Sequence, residues 1–215
     1  MLVGDRMSHP VITISADLPI IEAVNLMRRE HIRRTPVIKD GKLVGIVSDQ
    51  DLLNASPSPA TSLSIWEMNY LLSKITVEDV MTSEVLTIET DCPIEEAARI
   101  MVDNKIGGLP VMKDDRVVGV ITETDIFKVF LELMGARDLG VRITALIPEK
   151  LGQLAALTKA VTEAGGNFIS FGVTAGDDPA NSKVTFKVNE IDEAKVSDAI
   201  QPFVEKIEDI RTSSE

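Results

Sequence analysis

Cysteine and histidine are nearly absent from this chain of 215 residues, which contains one cysteine and two histidines. A single cysteine cannot form a disulfide within the chain, and Cys92, His9 and His31 lack the short spacings of a metal site. The sequence therefore excludes an internally disulfide-bonded scaffold and predicts no bound metal. Because Cys92 directly precedes Pro93 at the start of a predicted helix, we interpret it as a small packing residue.

Basic residues are also few, with 22 lysines and arginines against 34 aspartates and glutamates and a formal net charge of −12. Nucleic acids and anionic membrane surfaces bind proteins through basic patches, so this charge argues against both as partners. A phosphate-bearing ligand would have to be held by a local group of donors. No apolar run is long enough to span a membrane, and the first residues lack the apolar segment of a secretion signal. We therefore expect a soluble, cytoplasmic protein.

What the sequence does contain is a duplication. Residues 3–53 align with residues 77–127 at a constant offset of 74 without a gap, and 20 of the 51 paired positions are identical. The identities include turn-forming and acidic residues as well as apolar ones, such as the pairs Pro36/Pro110 and Asp51/Asp125. A repeat of fixed period indicates a duplicated supersecondary unit. A repeated hydrophobic core would need only the apolar residues. The repeated polar residues therefore indicate that both units need them for a purpose other than core packing.

Each repeat predicts the same order of elements, namely a strand, a helix, two strands joined by a tight turn, and a second helix. The first helix follows an Asp-x-Pro sequence, in which the aspartate can cap and the proline suits the first turn. The predicted strands are residues 11–14, 36–38 and 43–47 in the first repeat and 85–88, 110–112 and 117–121 in the second. The predicted domains are a first repeat at 1–56, a linker at 57–76 with a docked helix over 65–75, and a second repeat at 77–135.

The pattern changes between residues 135 and 140. Beyond this point it predicts strands at 141–147, 168–174, 183–188 and 207–211, and helices at 151–164 and 193–203. The resulting order, βαββαβ, is that of a ferredoxin-like fold. We therefore predict a further domain over residues 139–215 and an α/β (α+β) fold class for the chain.

The strongest chemical signal lies where each repeat passes from its last strand into its last helix. The segments read Gly-Ile-Val-Ser-Asp-Gln-Asp at 45–51 and Gly-Val-Ile-Thr-Glu-Thr-Asp at 119–125. A hydroxyl and backbone N–H groups at a helix start can bind phosphate or ribose oxygens, and an ionised aspartate one turn later can accept both ribose hydroxyls. The pattern therefore suits a nucleoside ligand. A second interpretation needs no ligand, because Ser48 and Thr122 can cap their helices with Asp51 and Asp125 in the favourable first turn.

These two units, with an x-Pro-Val sequence before each strand pair, resemble a pair of CBS domains, the tandem known as a Bateman module. The resemblance covers residues 1 to about 135 and implies repeats packed around a pseudo-twofold axis that leave two clefts. It also implies a regulatory ligand, AMP, ADP, ATP or S-adenosylmethionine, with the aspartate on the ribose and the hydroxyl on a phosphate, and no catalytic cofactor. The implied ligand-binding residues are Ile12, Thr13, Arg33, Arg34, Pro36, Ser48 and Asp51 in the first repeat and Leu86, Thr87, Gly107, Gly108, Pro110, Thr122 and Asp125 in the second.

The repeats differ just before the x-Pro-Val sequence, at positions that the resemblance places in the clefts. The first repeat has Arg33 and Arg34, whereas the second has Gly107 and Gly108. Two arginines supply forked cationic donors suited to a polyphosphate, and two glycines supply none. We therefore predict unequal clefts. Alternatively, the arginines are only the solvated basic end of the preceding helix.

The region from residue 141 to about 212 resembles an ACT domain, a ferredoxin-like regulatory module that commonly pairs with its own copy and often senses amino acids. The resemblance rests on Pro-Glu-Lys-Leu-Gly-Gln-Leu at 148–154 and Ala-Gly-Gly-Asn-Phe-Ile at 164–169. It implies a homodimer and an amino-acid effector near Gly152 and Asn167, although both residues could serve only the local structure. The combination of CBS and ACT regions is similar to a family of proteins associated with acetoin utilisation.

Three classes of function remain open. The leading one is a regulatory sensor without catalysis, in which an adenine nucleotide favours one arrangement of the repeats and a dimeric ACT domain passes that state to an unknown regulated protein. An enzyme that processes its nucleotide is less favoured, because the sequence contains no P-loop, nucleophile elbow or metal cluster. The third class is a structural dimerisation adaptor whose clefts stay empty.

Overall fold

The computed structural model describes residues 1–55, 70 and 73–213. The chain divides into two compact units, Met1–Ile126 and Phe127–Glu215. Most of the predicted linker, including most of the helix predicted over 65–75, lies outside the described residues.

Each repeat of the first unit forms a three-stranded sheet with two helices. The first repeat contains β1 (Ile14–Ser15), α1 (Ile20–Arg29), β2 (Arg34–Lys39), β3 (Lys42–Ser48) and α2 (Asp49–Asn54). The second contains β4 (Ile88–Glu89), α3 (Ile94–Asn104), β5 (Gly108–Lys113), β6 (Arg116–Thr122) and α4 (Glu123–Leu133), the last of which continues beyond Ile126. In both sheets the first strand pairs parallel with the second, and the second pairs antiparallel with the third. The predicted order of elements is therefore confirmed.

Both strand pairs turn through two consecutive residues in the left-handed region. Asp40 and Gly41 have φ values of 51° and 77°, and Asp114 and Asp115 have 49° and 60°. Two positive φ angles are the requirement of the tight hairpin turn whose twist matches that of the strands. The second repeat meets this requirement with aspartate, which tolerates the left-handed region better than most residues.

The first strand of each repeat is shorter and starts later than predicted. The sheets begin at Ile14 and Ile88, whereas the sequence pattern placed the strands at 11–14 and 85–88. In the first repeat a side chain supplies a hydrogen bond where the predicted strand pairing is missing. The hydroxyl of Thr35 donates to the carbonyl oxygen of Ile12 at 2.6 Å. Thr35 is fully buried, so this bond also satisfies a polar group in the core.

The first residues of each repeat lie against the other repeat. Val77, at the start of the second repeat, is fully buried in the hydrophobic core of the first. Backbone bridges and methionine–glycine contacts cross between the repeats in matching pairs, 74 residues apart, which relates the repeats by an approximate twofold axis. The matching contacts are Ser8 with Val120 and Thr82 with Ile46, and the Met7 sulfur with Gly119 and the Met81 sulfur with Gly45.

The second unit contains a four-stranded antiparallel sheet in the order β10-β7-β9-β8. Its elements are β7 (Val141–Pro148), α5 (Gln153–Glu163), β8 (Asn167–Ala175), β9 (Asn181–Asn189), α6 (Glu193–Ile200) and β10 (Lys206–Thr212). The predicted βαββαβ order is thus present. The helix predicted over 193–203 ends at Ile200 and gives way to a 3₁₀ turn, Gln201–Phe203, where Pro202 has no N–H to donate.

A buried lysine holds the segment that follows α4. The Nζ atom of Lys187, on β9, donates to the carbonyl oxygen of Gly135 at 3.0 Å and also to that of Asp138. Lys187 is only 5% exposed. These bonds fasten the segment to the sheet, which helps to explain why the compact units divide before residue 139, where the sequence placed the domain start.

Replacing Lys187 by methionine is expected to lower the free energy of unfolding of the second unit by about 1–3 kcal/mol, because both carbonyl groups lose a charged donor and, among the described residues, only that of Gly135 keeps another, the Asp138 N–H. Urea denaturation of the full chain, followed by circular dichroism, measures the change. The matched control is Lys159→Met, since Lys159 is 73% exposed and its ion pair with Glu163 spans 3.6 Å. A loss no larger than that of the control would contradict the role assigned to Lys187.

Candidate functional site

Three reciprocal hydrogen bonds join Ser48 and Asp51 at the start of α2. Oδ2 of Asp51 accepts from the Ser48 backbone N–H at 2.8 Å and from the Ser48 hydroxyl at 2.6 Å. The Ser48 oxygen in turn accepts from the Asp51 backbone N–H at 3.2 Å. This reciprocal cap arises because β3 ends in an extended serine and the acidic side chain three residues later reaches back to it.

Thr122 and Asp125 form the equivalent arrangement at the start of α4. Oδ2 of Asp125 accepts from the Thr122 backbone N–H at 3.1 Å and from its hydroxyl at 2.7 Å. Asp125 is 6% exposed, whereas Asp51 is half-buried. The capping interpretation is therefore confirmed for both hydroxyl residues, and the ribose interpretation stays a prediction.

The side chains predicted to line the adenine side of the clefts are the more accessible ones. Leu86 is 45% exposed and Thr87 is exposed, while Ile12 is half-buried and Thr13 exposed. The prolines of the two x-Pro-Val sequences, Pro36 and Pro110, are instead buried in the sheets opposite Ile46 and Val120. The two prolines thus present little surface in this structure, and their part in ligand binding stays a prediction.

The arginine and glycine segments, which the sequence assigned to separate clefts, meet at one place. A methyl group on Gly107 would lie 2.5 Å from Nη2 of Arg34, and one on Gly108 would lie 2.9 Å from Cδ of Arg34. The side chain of Arg34 therefore lies directly on the glycine backbone of the other repeat, while Arg33 is exposed. The glycines make room for a cation from the first repeat.

Glu123 reaches the same place and was not among the predicted site residues. Its Oε2 atom would lie 2.9 Å from a methyl group on Gly107, and its backbone N–H donates to the Gly107 carbonyl at 3.2 Å. It occupies the first position of α4, two residues before Asp125. The sequence carried a usable signal, since Asp49 is the acidic counterpart of Glu123 in the first repeat.

The two residues predicted to bind an amino acid in the second unit lie apart. Gly152 has φ +83° and borders an open cavity of about 520 Å³ at the end of β7, which Leu151 and Val173 also line. Asn167 starts β8 opposite Asn189 and is not part of that lining. Within one chain, the structure does not bring Gly152 and Asn167 together.

Cys92 has the environment of a packing residue. Partial burial, with Glu96, Asp91 and Glu95 nearby, raises the pKa of its thiol above the ordinary value. Such a thiol is less nucleophilic at neutral pH. Among the described residues there is no group of three or more His, Cys, Asp and Glu side chains placed to hold a metal ion. No helix in the described part of the chain has the length and apolarity to cross a membrane.

The duplicated unit, its first residues packed against the other repeat and its two equivalent helix starts define a tandem-repeat module with paired candidate ligand sites. The family model of the CBS domain matches residues 3–58 and 77–132, more than half of the chain. The chain belongs to the CBS domain family.

Several solved structures resemble this chain. The CBS domain pair of protein MJ0100, in complex with 5′-methylthioadenosine and S-adenosyl-L-methionine, is 33% identical, with a TM-score of 0.51, over 64% of this chain and 98% of that one. CBSX2 in complex with AMP is 30% identical, with a TM-score of 0.51, over 61% of this chain and 97% of that one. A protein from Vibrio cholerae assigned to acetoin utilization is 31% identical, with a TM-score of 0.51, over 64% and 96%.

Some curated relatives contain the matching region as a small part of an enzyme. L-aspartate semialdehyde sulfurtransferase of Methanocaldococcus jannaschii is 34% identical over 60% of this chain but only 23% of its own length. The homoserine O-acetyltransferase of Methanohalobium evestigatum is 36% identical over 60% of this chain and 24% of its own length. This chain thus spans less than a quarter of each enzyme.

Proposed function

We propose that this chain is a regulatory sensor whose CBS pair binds an adenosine-containing ligand, namely AMP, ADP, ATP or S-adenosylmethionine. The observation that carries the proposal is the pair of equivalent helix starts at Ser48/Asp51 and Thr122/Asp125 in a member of this family. A carboxylate that is already fixed by hydrogen bonds is well positioned to accept ribose hydroxyls. Relatives of at least 30% identity that contain AMP or adenosyl ligands support the same ligand class.

Capping and ligand binding use different oxygen atoms of the same carboxylate. The cap occupies Oδ2 of Asp51, and among the described residues Oδ1 has no hydrogen-bond partner. Oδ1 is not sealed from solvent, so a ligand can bring donors to it. The cap therefore orients the aspartate and leaves its second oxygen, Oδ1, able to accept hydrogen bonds from a ligand.

The second unit would carry the ligand state onward as an ACT-like domain in a cytoplasmic homodimer. A bound ligand shifts an equilibrium between two arrangements only by the difference between its affinities for them. In this proposal an amino acid near Gly152 is a second candidate ligand, and the regulated protein is unidentified. The βαββαβ order and the open cavity beside Gly152 support this assignment.

Titration calorimetry of the purified full chain with AMP, ATP and S-adenosylmethionine tests the proposal. We expect saturable binding of at least one of them, and mass spectrometry should detect an adenosine compound released from freshly purified protein. If none binds and none is released, the sensor function is wrong and the adaptor class is favoured. Steady conversion of a nucleotide to products would instead favour the enzyme class.

A further inference from the structure

The end of the Arg34 side chain is a cation held against the other repeat, with no ion-pair or hydrogen-bond partner among the described residues. Its guanidinium nitrogens Nη2 and Nη1 would lie 2.5 and 2.7 Å from a methyl group on Gly107. Among the residues that the structure describes, this guanidinium has no hydrogen bond or ion pair. Arg34 is only half-buried, and its unpaired guanidinium has N–H donors to offer an anionic group that enters from solvent.

The carboxylate of Glu123 lies beside this cation and is also unpaired within the described part of the chain. Both groups approach the position that a Gly107 side chain would fill, yet no ion pair joins them. A cation and an anion are thus presented side by side. A ligand group that carries both charges, an α-amino acid, matches them, with its carboxylate on the forked guanidinium and its ammonium on Glu123.

The remaining charges disfavour a polyphosphate. The relevant positions are the starts of β2 and β5 and the first turns of α2 and α4. They contain two arginines, Arg33 and Arg34, and four carboxylates, which are Asp49, Asp51, Glu123 and Asp125. A triphosphate would bring several further negative charges to a region that already has an acidic excess. This differs from the expectation that Arg33 and Arg34 form a polyphosphate site.

We propose that Arg34 and Glu123 select an adenosine ligand whose 5′ substituent ends in an amino-acid group, as in S-adenosylmethionine, over nucleoside triphosphates. The inference rests on the proposed adenosine-binding function and specifies its ligand. Gly107 serves the same purpose, because any larger residue would displace the ends of both side chains. Arg34, Glu123 and Gly107 are therefore specificity-determining residues.

Calorimetric titration of the full chain with S-adenosylmethionine, 5′-methylthioadenosine and ATP tests this inference. The first two ligands share the adenosine and the 5′ sulfur, and only S-adenosylmethionine has the amino-acid group. We expect S-adenosylmethionine to bind about 10-fold or more tightly than 5′-methylthioadenosine, and more tightly than ATP. Arg34→Met should remove most of this advantage while changing 5′-methylthioadenosine affinity less than about 2-fold.

Glu123→Gln and Gly107→Ala provide independent evidence if Arg34→Met is poorly folded. Glu123→Gln should weaken S-adenosylmethionine by about 3- to 10-fold and strengthen ATP, because it removes an ammonium partner and a negative charge. Gly107→Ala should weaken S-adenosylmethionine selectively. The controls Arg29→Met and Glu22→Gln change the same charges at exposed positions of α1 and should leave all three affinities unchanged.

Two sets of results would overturn the inference. If ATP binds most tightly and Arg34→Met weakens ATP, the cation serves a polyphosphate. If Arg34→Met and Glu123→Gln weaken S-adenosylmethionine and 5′-methylthioadenosine equally, the two residues have only a structural role. Binding of none of the three ligands, nor of AMP, would contradict the proposed function itself and the inference with it.

Discussion

Replacing Asp125 by alanine is expected to weaken the binding of an adenosine ligand by about 10- to 100-fold, because a hydrogen bond to a charged group typically contributes about 1.5–3 kcal/mol. The carboxylate is almost buried, and Thr122 fixes one of its oxygens through two hydrogen bonds. Its orientation is therefore set before a ligand arrives. Calorimetric titration of the variant with the ligand that binds the natural chain measures the loss.

The same substitution also removes a helix cap, which typically costs about 0.5–2 kcal/mol of stability. Asp79→Ala controls for this cost, because Asp79 closes an equivalent cap with Thr76 at the start of a 3₁₀ turn, outside the candidate site. The bonds from the Thr76 backbone and hydroxyl lower the pKa of Asp79, which indicates that its cap favours the ionised form. If Asp79→Ala weakens ligand binding as much as Asp125→Ala, the loss reflects stability, and the ribose role of Asp125 is wrong.

The order of elements could be predicted from the sequence because it depends on local patterns. The stripe Ile94, Ala97 and Met101 on α3 is buried as its helical spacing predicts, and the βαββαβ order of the second unit follows from the same kind of reasoning. Local patterns placed the first strand of each repeat too early. Residues 11–13 and 85–87 look like strand residues, but the sheets begin only at Ile14 and Ile88. In the first repeat the Ile12 carbonyl instead accepts from the hydroxyl of Thr35, a contact that sequence spacing does not reveal.

The candidate site shows the same limit. The cap residues at the two helix starts are three positions apart and were recognisable as a motif. The position of Arg34 was not, because it depends on how two repeats pack across an approximate twofold axis. An alignment of the repeats places Arg34 opposite Gly108 as equivalent and separate positions, whereas the structure places them in contact. Equivalent positions near a twofold axis lie close to each other, so a large residue in one repeat needs a small one in the other.

Replacing Phe186 by alanine is expected to destabilise the second unit by about 3–5 kcal/mol, because the fully buried ring leaves a cavity that its neighbours cannot fill. Phe186 stacks on Phe171 with ring centroids 5.7 Å apart and tilts against Phe168 at 5.5 Å. For a unit of this size such a loss lowers the melting temperature by more than about 10 °C. Differential scanning calorimetry of the full chain measures the shift.

Phe186→Ala also tests whether the two compact units are stable independently. Phe186 lies in the core of the second unit, whereas both helix starts, with Asp51 and Asp125, lie in the first. We therefore expect the unfolding transition of the second unit to move to lower temperature. The affinity for an adenosine ligand, measured below that transition, should stay unchanged. Val173→Ala, a change at a 46% exposed position on β8, should shift the same transition only slightly. If the variant unfolds in a single transition and loses ligand binding at the same temperature, the first unit requires the second to fold.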